Sequence, residues 1–155
     1  MAKSPTSIHV RAADRGDGPA IVGLIRALAE FEKLKGPSEE EAARLLEHGF
    51  GPRPLYEALV AELDGQVVAY AIYFTTYSTF RARPTLFLED VFVHPQARRR
   101  GVASAILGHL RDLARSRGCG RFEWMVLDWN EDAQKLYDGL GGKRLDDWRL
   151  YRIDL

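Results

Sequence analysis

The stretch from Glu89 to Ala103 has the residue types and spacing to bind a polyphosphate. It reads Glu-Asp-Val-Phe-Val-His-Pro-Gln-Ala-Arg-Arg-Arg-Gly-Val-Ala, an apolar strand that ends at His94-Pro95, then a basic loop and the start of an amphipathic helix. Such a junction directs free backbone N–H groups and the positive end of the helix dipole at one point. The arginines at positions 98–100 add positive charge there. The expected ligand is a polyphosphate or pyrophosphate.

The spacing within this loop separates it from two common phosphate-binding motifs. Walker loops need Gly-x-x-x-x-Gly-Lys-Ser/Thr and dinucleotide folds need Gly-x-Gly-x-x-Gly, and the loop has neither pattern. It reads Arg98-x-x-Gly101-x-Ala103, whose small residues let the backbone approach a ligand closely. This resembles the pyrophosphate loop of the Gcn5-related N-acetyltransferases (GNATs), Arg/Gln-x-x-Gly-x-Gly/Ala, although Arg99 stands where many members carry glycine.

A second motif follows at residues 126–142 and predicts a short capped helix. Asn130 is a good N-cap, acids follow it in the first turn, and Gly141 with Gly142 supplies a C-terminal stop. Apolar residues at i, i+3, i+4 and i+7 form one face, namely Ala133, Leu136, Tyr137 and Leu140. The segment resembles the second GNAT signature, Asn-x-x-Ala-x-x-Phe/Leu-Tyr-x-x-Leu-Gly-Phe/Ala.

A closer resemblance, to the diamine acetyltransferase group, covers nearly the whole chain. Its members include spermidine/spermine and thialysine acetyltransferases, and the matching segments are residues 28–32, 48–51, 73–75, 88–90 and 126–130. Ser78 stands where the polyamine enzymes have an acidic residue, and Phe80 where the thialysine branch has tryptophan. The resemblance implies acetyl-CoA as cosubstrate, a single GNAT domain over residues 1–155 and a homodimer.

Composition agrees with a small enzyme that binds neither nucleic acid nor membranes. The 155 residues are enough for one domain, and 22 basic residues balance 22 acidic ones, whereas nucleic-acid binding domains usually have a basic excess. No apolar run approaches the roughly 20 residues of a membrane span, and residues 1–5 lack the hydrophobic segment of a secretory signal. The single cysteine, Cys119, is interpreted as structural, and no metal site is expected. We expect a cytoplasmic protein.

The elements that must position these residues follow from apolar periodicity and turn chemistry. Strands are predicted over residues 7–12, 56–63, 66–77, 85–93, 121–127 and 143–153, with a hairpin turn at Asp64-Gly65. A first helix begins at Asp14 or Asp17, and a second is capped by Ser38 with Glu41 and runs to about Leu46. A third follows Gly101, and the fourth follows Asn130. The pattern predicts a mixed α/β fold. The resemblance adds a splayed, mostly antiparallel sheet flanked by helices, the acyl-CoA N-acyltransferase fold.

Acetyl transfer to an amine needs a base. A lysine-like amine has a pKa near ~10.4, so deprotonation at pH 7 costs about 3 units, or roughly 4–5 kcal/mol. Glu89 is the candidate acceptor of that proton, directly or through water. In an alternating strand it would share a face with Phe87 and Val91, an apolar setting that raises a carboxyl pKa. An exposed strand-end acid is the alternative. Asp90, on the other face, is expected to be a structural hydrogen-bonding residue.

The remaining site residues come from the resemblance. Tyr137 donates a proton or hydrogen bond to the departing coenzyme A sulfur, the alternative being an aromatic residue packed in the core. The cofactor contacts are backbone groups of Val91, Phe92 and Val93 for the pantetheine arm, N–H groups of Arg98, Arg99, Arg100, Gly101, Val102, Ala103 and Ser104 for the pyrophosphate, and Asn130 and Ala133 beside the arm. The amine acceptor is lined by Phe31, Glu32, Glu89, Glu123 and Trp124.

Three functional interpretations remain open from the sequence. The first is a small-molecule amine N-acetyltransferase that acts by direct transfer in a ternary complex. The second is acetylation of a protein lysine or N-terminus with the same cofactor site. The third is a coenzyme A-binding sensor without turnover, which would not need both Tyr137 and Glu89.

Overall fold

The computed structural model describes residues 6–155. Residues 1–5, on which the expectation of a missing secretory signal rests, lie outside this range. The chain divides into two compact units, one ending at Met125 and the other comprising Val126–Leu155, and each is described by itself.

The first unit contains all the strands of the sheet that the structure describes. Its elements are β1 (Ile8–Ala12), α1 (Gly18–Phe31), α2 (Glu39–Phe50), β2 (Glu57–Leu63), β3 (Gln66–Ser78), β4 (Arg83–Val93), α3 (Val102–Ser116) and β5 (Arg121–Trp124), with short 3₁₀ helices at Arg15–Asp17 and Pro95–Ala97. The sheet order is β1-β2-β3-β4-β5, antiparallel throughout except for the parallel pair β4-β5. This confirms the mixed, mostly antiparallel sheet.

Both faces of the central strand are covered. Five consecutive residues of β3, from Ala69 to Tyr73, are buried, so neither face of the strand is left to solvent. One face carries Tyr70 and Ile72 and packs with Phe92 against Ile21 and Leu24 of α1. α3 contributes a separate buried stripe and contacts β1, β3, β4 and β5. The helices α1 and α3 therefore enclose β3, the neighbour of β4 in the sheet.

Local chemistry places the element ends of this unit close to their predicted positions. Asp14 caps the 3₁₀ turn that leads into α1, and Asp17, at the α1 N-cap, makes no side-chain cap hydrogen bond. Ser38 Oγ accepts a hydrogen bond from the Glu41 N–H, as predicted, but α2 runs beyond Leu46 to Phe50. Asp64 and Gly65 both have positive φ, as the hairpin turn requires.

The second unit contains α4 (Glu131–Gly139), and its ends follow the predicted capping pattern. The Asn130 side chain accepts a hydrogen bond from the Ala133 N–H at 3.3 Å. Gly141 has φ +88°, and the Gly142 N–H donates to the Tyr137 carbonyl, which ends the helix.

The predicted strand over residues 143–153 is wrong. These residues form no regular secondary structure, and every one of them is exposed. Apolar side chains such as Trp148 and Leu150 give the segment a strand-like pattern, but a strand also needs a neighbour for its N–H and C=O groups. None of the strands in the described range pairs with it. The strand predicted over residues 121–127 also ends early, at Trp124.

Within residues 6–155, no helix is long and apolar enough to cross a bilayer.

Candidate active site

One edge of β4 is only partly paired. On one side β4 pairs with β3 over its full length, whereas on the other side β5 pairs only with residues 85–88, from Thr85 opposite Arg121 to Leu88 opposite Trp124. In the described part of the chain, the segment from Glu89 to Val93 therefore has no strand beside it on the β5 side. Backbone groups along such an edge can bind an extended ligand as an added strand would. This edge contains Val91, Phe92 and Val93, the residues predicted to contact the pantetheine arm.

A β-bulge lies where the unpaired edge begins. Leu88 pairs with Tyr73 and Asp90 with Ile72, so Glu89 is an extra residue with no partner on β3. The bulge corrects the expectation that Glu89 shares a face with Phe87 and Val91. Phe87 lies opposite Phe74 and Val91 opposite Ala71, three positions apart on β3, so they are on opposite faces. Glu89 is exposed, not in an apolar setting.

Asp90 is the partly buried carboxyl of this region, whereas Glu89 is exposed. It lies opposite Ile72, on the face covered by α1, and accepts a hydrogen bond from the Tyr70 hydroxyl at 3.2 Å. Burial, together with the charges of Glu89 and Glu32, raises the pKa of Asp90 to about 6, although the hydrogen bond from Tyr70 acts to lower it. Burial and the carboxyls of Asp90, Glu32 and Glu89 raise the pKa of Tyr70, so its hydroxyl keeps its proton and can donate this hydrogen bond. The predicted structural role of Asp90 agrees with this hydrogen bond.

The end of α1 lies beside β4, because the guanidinium of Arg98 contacts both Phe31 of α1 and Phe92 of β4. Glu32, the half-buried C-cap residue of α1, therefore adds a third carboxyl to Glu89 and Asp90 of β4, and its charge acts to raise the pKa of Asp90. A region with these carboxyls attracts a cationic amine.

The loop after β4 has the geometry of an anion-binding turn. His94 Nδ1 accepts a hydrogen bond from the Gln96 N–H at 3.2 Å and caps the short 3₁₀ helix. Arg99 and Gly101 both have left-handed backbones, with φ +61° and +83°. Arg99 thus takes the conformation that glycine would supply in this family, and the loop keeps a compact path at the cost of backbone strain.

The N-terminus of α3 points its first N–H groups into this loop. The first intrahelical hydrogen bond runs from the Ala105 N–H to the Gly101 carbonyl at 3.0 Å, so helix geometry leaves Val102, Ala103 and Ser104 without an acceptor inside the helix. Their N–H groups and the helix dipole favour an anion at this end. The exposed side chains of Arg99 and Arg100 add charge to the same loop.

Arg98 is engaged differently from its two neighbours. Its guanidinium carbon lies 5.1 Å from the centre of the Phe31 ring and 5.3 Å from that of Phe92. Its Nε donates to the Val93 carbonyl at 3.2 Å, and its backbone N–H donates to the Pro95 carbonyl at 3.4 Å. The structure thus places the Arg98 side chain against the predicted acceptor residue Phe31.

The predicted residues of the second unit lie on or beside α4. Asn130 uses its side-chain oxygen as the helix cap, and Ala133 and Tyr137 are half-buried on the predicted apolar face. Burial raises the pKa of Tyr137. The phenol is therefore protonated at neutral pH and can donate a hydrogen bond, while complete proton transfer to a thiolate becomes harder than for an ordinary tyrosine.

The other predicted acceptor residues lie on β5. Glu123 is half-buried opposite Phe87 on β4, and the ring of Trp124 contacts that of Phe122 at a tilt of 53°, with 4.8 Å between ring centres. Of the two residues that depart from the related enzymes, Ser78 is buried and its Oγ accepts a hydrogen bond from the Arg81 N–H at 3.2 Å, so it caps the β3–β4 turn. Phe80 in the same turn is 91% exposed.

Tyr70 was not among the residues that the sequence singled out. It is fully buried in β3, and in the sequence it is one of several apolar and aromatic residues of a strand. Its partner, Asp90, comes from a different strand, so only the register of the two strands brings them together. No group of three or more potential metal ligands is found within residues 6–155.

The structure combines an unpaired strand edge with a loop and an open helix N-terminus that favour an anion, so an extended ligand with a phosphate group could be accommodated here. Residues 19–141 match the Acetyltransferase (GNAT) family. The match spans most of the chain, so the protein belongs to this family. It is an acetyl-CoA-dependent N-acetyltransferase, and its cosubstrate is acetyl-CoA.

Its relatives include proteins whose names refer to amine acetylation. The chain is 37% identical over 158 residues to thialysine N-epsilon-acetyltransferase of Bos taurus, covering 95% of this chain and 92% of that protein. It is 32% identical over 156 residues to spermidine/spermine N(1)-acetyltransferase-like protein 1 of Homo sapiens, covering 94% of this chain but 22% of that protein.

Solved structures agree on the fold. Aminoglycoside N-acetyltransferase AAC(6')-Iy in complex with CoA superposes with a TM-score of 0.82 at 20% identity, covering 100% of both chains. An integron cassette protein from V. cholerae gives a TM-score of 0.82 at 23% identity, over 96% of this chain and 93% of the other. The splayed sheet expected from the resemblance is thus the fold of this protein.

Proposed function

We propose that the protein transfers the acetyl group of acetyl-CoA to a primary amine of a small molecule, a thialysine- or lysine-like amino acid, a diamine or a polyamine, by direct transfer in a ternary complex. The observation that carries the proposal is the junction at Glu89. There the unpaired edge of β4, which can hold the donor, begins beside carboxyls of Glu32 and Asp90 that attract a cationic acceptor. The names of the relatives support the acceptor class.

The donor is held mainly by backbone groups. Val91, Phe92 and Val93 pair with the pantetheine arm along the β4 edge, although the Val93 carbonyl already accepts one hydrogen bond from Arg98. The N–H groups that follow Gly101 at the α3 N-terminus bind the pyrophosphate, with exposed positive charge from Arg99 and Arg100. Asn130 and Ala133 flank the arm by family resemblance.

Each chemical step has a candidate residue. The amine nitrogen forms a bond to the acetyl carbon as the carbon–sulfur bond breaks, and the amine must first lose a proton. Glu89 accepts that proton, and because its side chain is exposed we expect a water molecule to relay it. Tyr137 donates to the leaving sulfur, and its raised pKa favours a strong hydrogen bond over full proton transfer.

The acceptor end is shaped by the end of α1 and by β5. Phe31, Glu32, Glu89, Glu123 and Trp124 line the path of the amine, and the carboxyls pair with its distal ammonium or α-amino group. A serine at position 78 removes a carboxylate that polyamine enzymes have, and Ser78 is buried in a turn in this chain. We therefore expect short amines and amino acids to be better acceptors than long polycations.

A substrate panel tests this proposal. Release of coenzyme A thiol is measured with thialysine, lysine, spermidine and short diamines, and with a lysine-containing peptide as the competing class. The expected result is the highest kcat/KM with thialysine, lysine or a short diamine. Faster turnover of the peptide would instead support a protein acetyltransferase. Tight acetyl-CoA binding with no turnover on any amine would support a sensor.

We also propose that the chain forms one domain and acts as a cytoplasmic homodimer that binds neither nucleic acid nor membranes. The family match supports a single domain, because it runs from residue 19 to residue 141 across the boundary between the two compact units. Zero net charge supports the absence of nucleic-acid binding. Light scattering of the purified chain tests the dimer.

A further inference from the structure

Arg98 connects two parts of the site that are far apart in sequence. It begins the loop that leads to the α3 N-terminus, and its guanidinium contacts the ring of Phe31 at the end of α1. The loop is proposed to bind the donor, and Phe31 is proposed to line the path of the amine.

The geometry at Arg98 is that of an anchored guanidinium. Nε donates to the Val93 carbonyl at 3.2 Å, which fixes the side chain to the end of β4. The 5.3 Å contact with Phe92 adds a second fixed point, because Phe92 is only 5% exposed and belongs to the core under α1. The third contact, at 5.1 Å, is with Phe31, the last residue of α1, which is 40% exposed.

The chain that follows Phe31 explains why a restraint there matters. α1 ends at Phe31, Glu32 is its C-cap, and residues 34–38 have no regular structure. Backbone hydrogen bonds from the N–H groups of Glu32 and Leu34 close the helix end, but they join it only to α1 itself. The guanidinium of Arg98 contacts both Phe31 and Phe92, and this contact joins the end of α1 to β4. The Arg98–Phe31 contact restrains the residue next to Glu32.

We propose that Arg98 is a positioning residue for the amine: through the ring of Phe31 it holds the end of α1, and with it Glu32, in place beside the β4 bulge. This inference rests on the proposed function. A guanidinium is suited to the task because it is planar, stacks on aromatic rings and still donates through Nε, whereas a lysine ammonium is a point charge.

The direction in which Arg98→Gln changes the amine KM shows whether Arg98 positions the acceptor residues or acts only through its charge. If Arg98 acted only as a positive charge, Arg98→Gln would raise the KM for anionic acetyl-CoA and lower the KM for a cationic amine by removing repulsion. If Arg98 holds Phe31 and Glu32, the amine KM rises, by about threefold to tenfold on the strength of such a contact. An amine KM that is unchanged or lower overturns the proposal.

Two further variants identify the contact responsible. Arg98→Lys keeps the charge but not the planar face, so it should restore the acetyl-CoA KM and leave the amine KM high. Arg100→Gln removes the same charge from the same loop, and it should raise the acetyl-CoA KM without raising that of the amine. A normal amine KM in Arg98→Lys, or an equal rise in Arg100→Gln, contradicts positioning through the ring.

A double-mutant cycle tests the link to Phe31 itself. In a Phe31→Leu background, Arg98→Gln should change the amine kcat/KM by less than about twofold, because the contact is already lost. The same fold-change in both backgrounds would overturn the inference. The cycle is measured on the amine with the highest kcat/KM, whichever that is, and urea unfolding confirms that each variant is folded. The acceptor preference of the unmodified chain tests the proposed function separately.

Discussion

Replacing Asp90 with asparagine should stabilise the protein at neutral pH and leave its stability almost unchanged in mild acid. Asp90 is half-buried on the face of β4 that α1 covers, where it is hydrogen-bonded to Tyr70 and subject to the charges of Glu32 and Glu89. Asparagine is nearly the same size, and its side-chain oxygen can still accept the Tyr70 hydrogen bond. The substitution therefore removes the buried charge and keeps the contact.

The magnitude follows from the pKa. Burial and the neighbouring carboxyls raise the pKa of Asp90 from 3.8 to about 6 in the folded protein. Stability contributed by a group with a raised folded-state pKa is fully present below its unfolded value and is lost as the pH rises through the folded value. A shift of about 2 units at ~1.36 kcal/mol per unit gives a loss of about 3 kcal/mol between roughly pH 4 and pH 7.

Urea unfolding of the unmodified chain and Asp90→Asn, at several pH values between about 4 and 8, measures this difference. The stabilisation by asparagine should grow to about 3 kcal/mol over this range, a shift in Tm of roughly 6–12 °C for a chain of this size. A difference that stays constant with pH would refute the reasoning, because the charge of Asp90 would then have no part in it.

Asp17 provides a matched control with the opposite sign. It is buried, but a bidentate ion pair with Arg11, at 2.8 and 2.9 Å, lowers its pKa. The stability that ionised Asp17 contributes is therefore present above its unfolded-state pKa and is lost as the pH falls through its folded-state pKa. Asp17→Asn should destabilise the protein by about 3 kcal/mol at neutral pH, because it leaves the Arg11 charge without this partner, and by less in acid.

Gly101→Val should raise the acetyl-CoA KM at least about tenfold, because the backbone of Gly101 has φ +83°, which is strained for any side chain, although a Cβ there would meet no atom closer than 4.0 Å. Gly108→Ala in α3 is the control, and equal KM values for the two variants would contradict the assignment of the loop to the donor. Arg99→Gly should be more stable than Arg100→Gly by about 1 kcal/mol in urea, because only Arg99 has a left-handed backbone, and equal stabilities would argue against strain. Tyr137→Phe should lower kcat by about 10²-fold with acetyl-CoA KM within about twofold, and an unchanged kcat would remove Tyr137 from the chemistry.

The register of β3 and β4 shows where reasoning from the sequence stops. An alternating strand places Glu89 on the face of both Phe87 and Val91, and nothing in residues 85–93 indicates otherwise. The extra residue at Glu89 arises from pairing with a partner strand that fits Leu88 to Tyr73 and Asp90 to Ile72. This pairing depends on two strands and on their packing, so residues 85–93 alone could not show that Glu89 is exposed while Asp90 is partly buried.

The sequence by itself determined the features that depend on neighbouring residues. The turn at Asp64-Gly65, the Asn130 cap, the stop at Gly141 and the open α3 N-terminus after Gly101 all follow from the backbone preferences of a few adjacent residues. The fold family and the donor were predicted from a resemblance carried by two such local motifs, the loop at residues 98–103 and the segment at residues 126–142.

Only the tertiary structure decided the features that join distant segments. It placed Tyr70 against Asp90 and the guanidinium of Arg98 against Phe31, and it left residues 143–153 outside the sheet. Each of these depends on which strands and helices meet in space. A local pattern cannot specify such a contact, because its free energy belongs to two segments that are brought together only when the core forms.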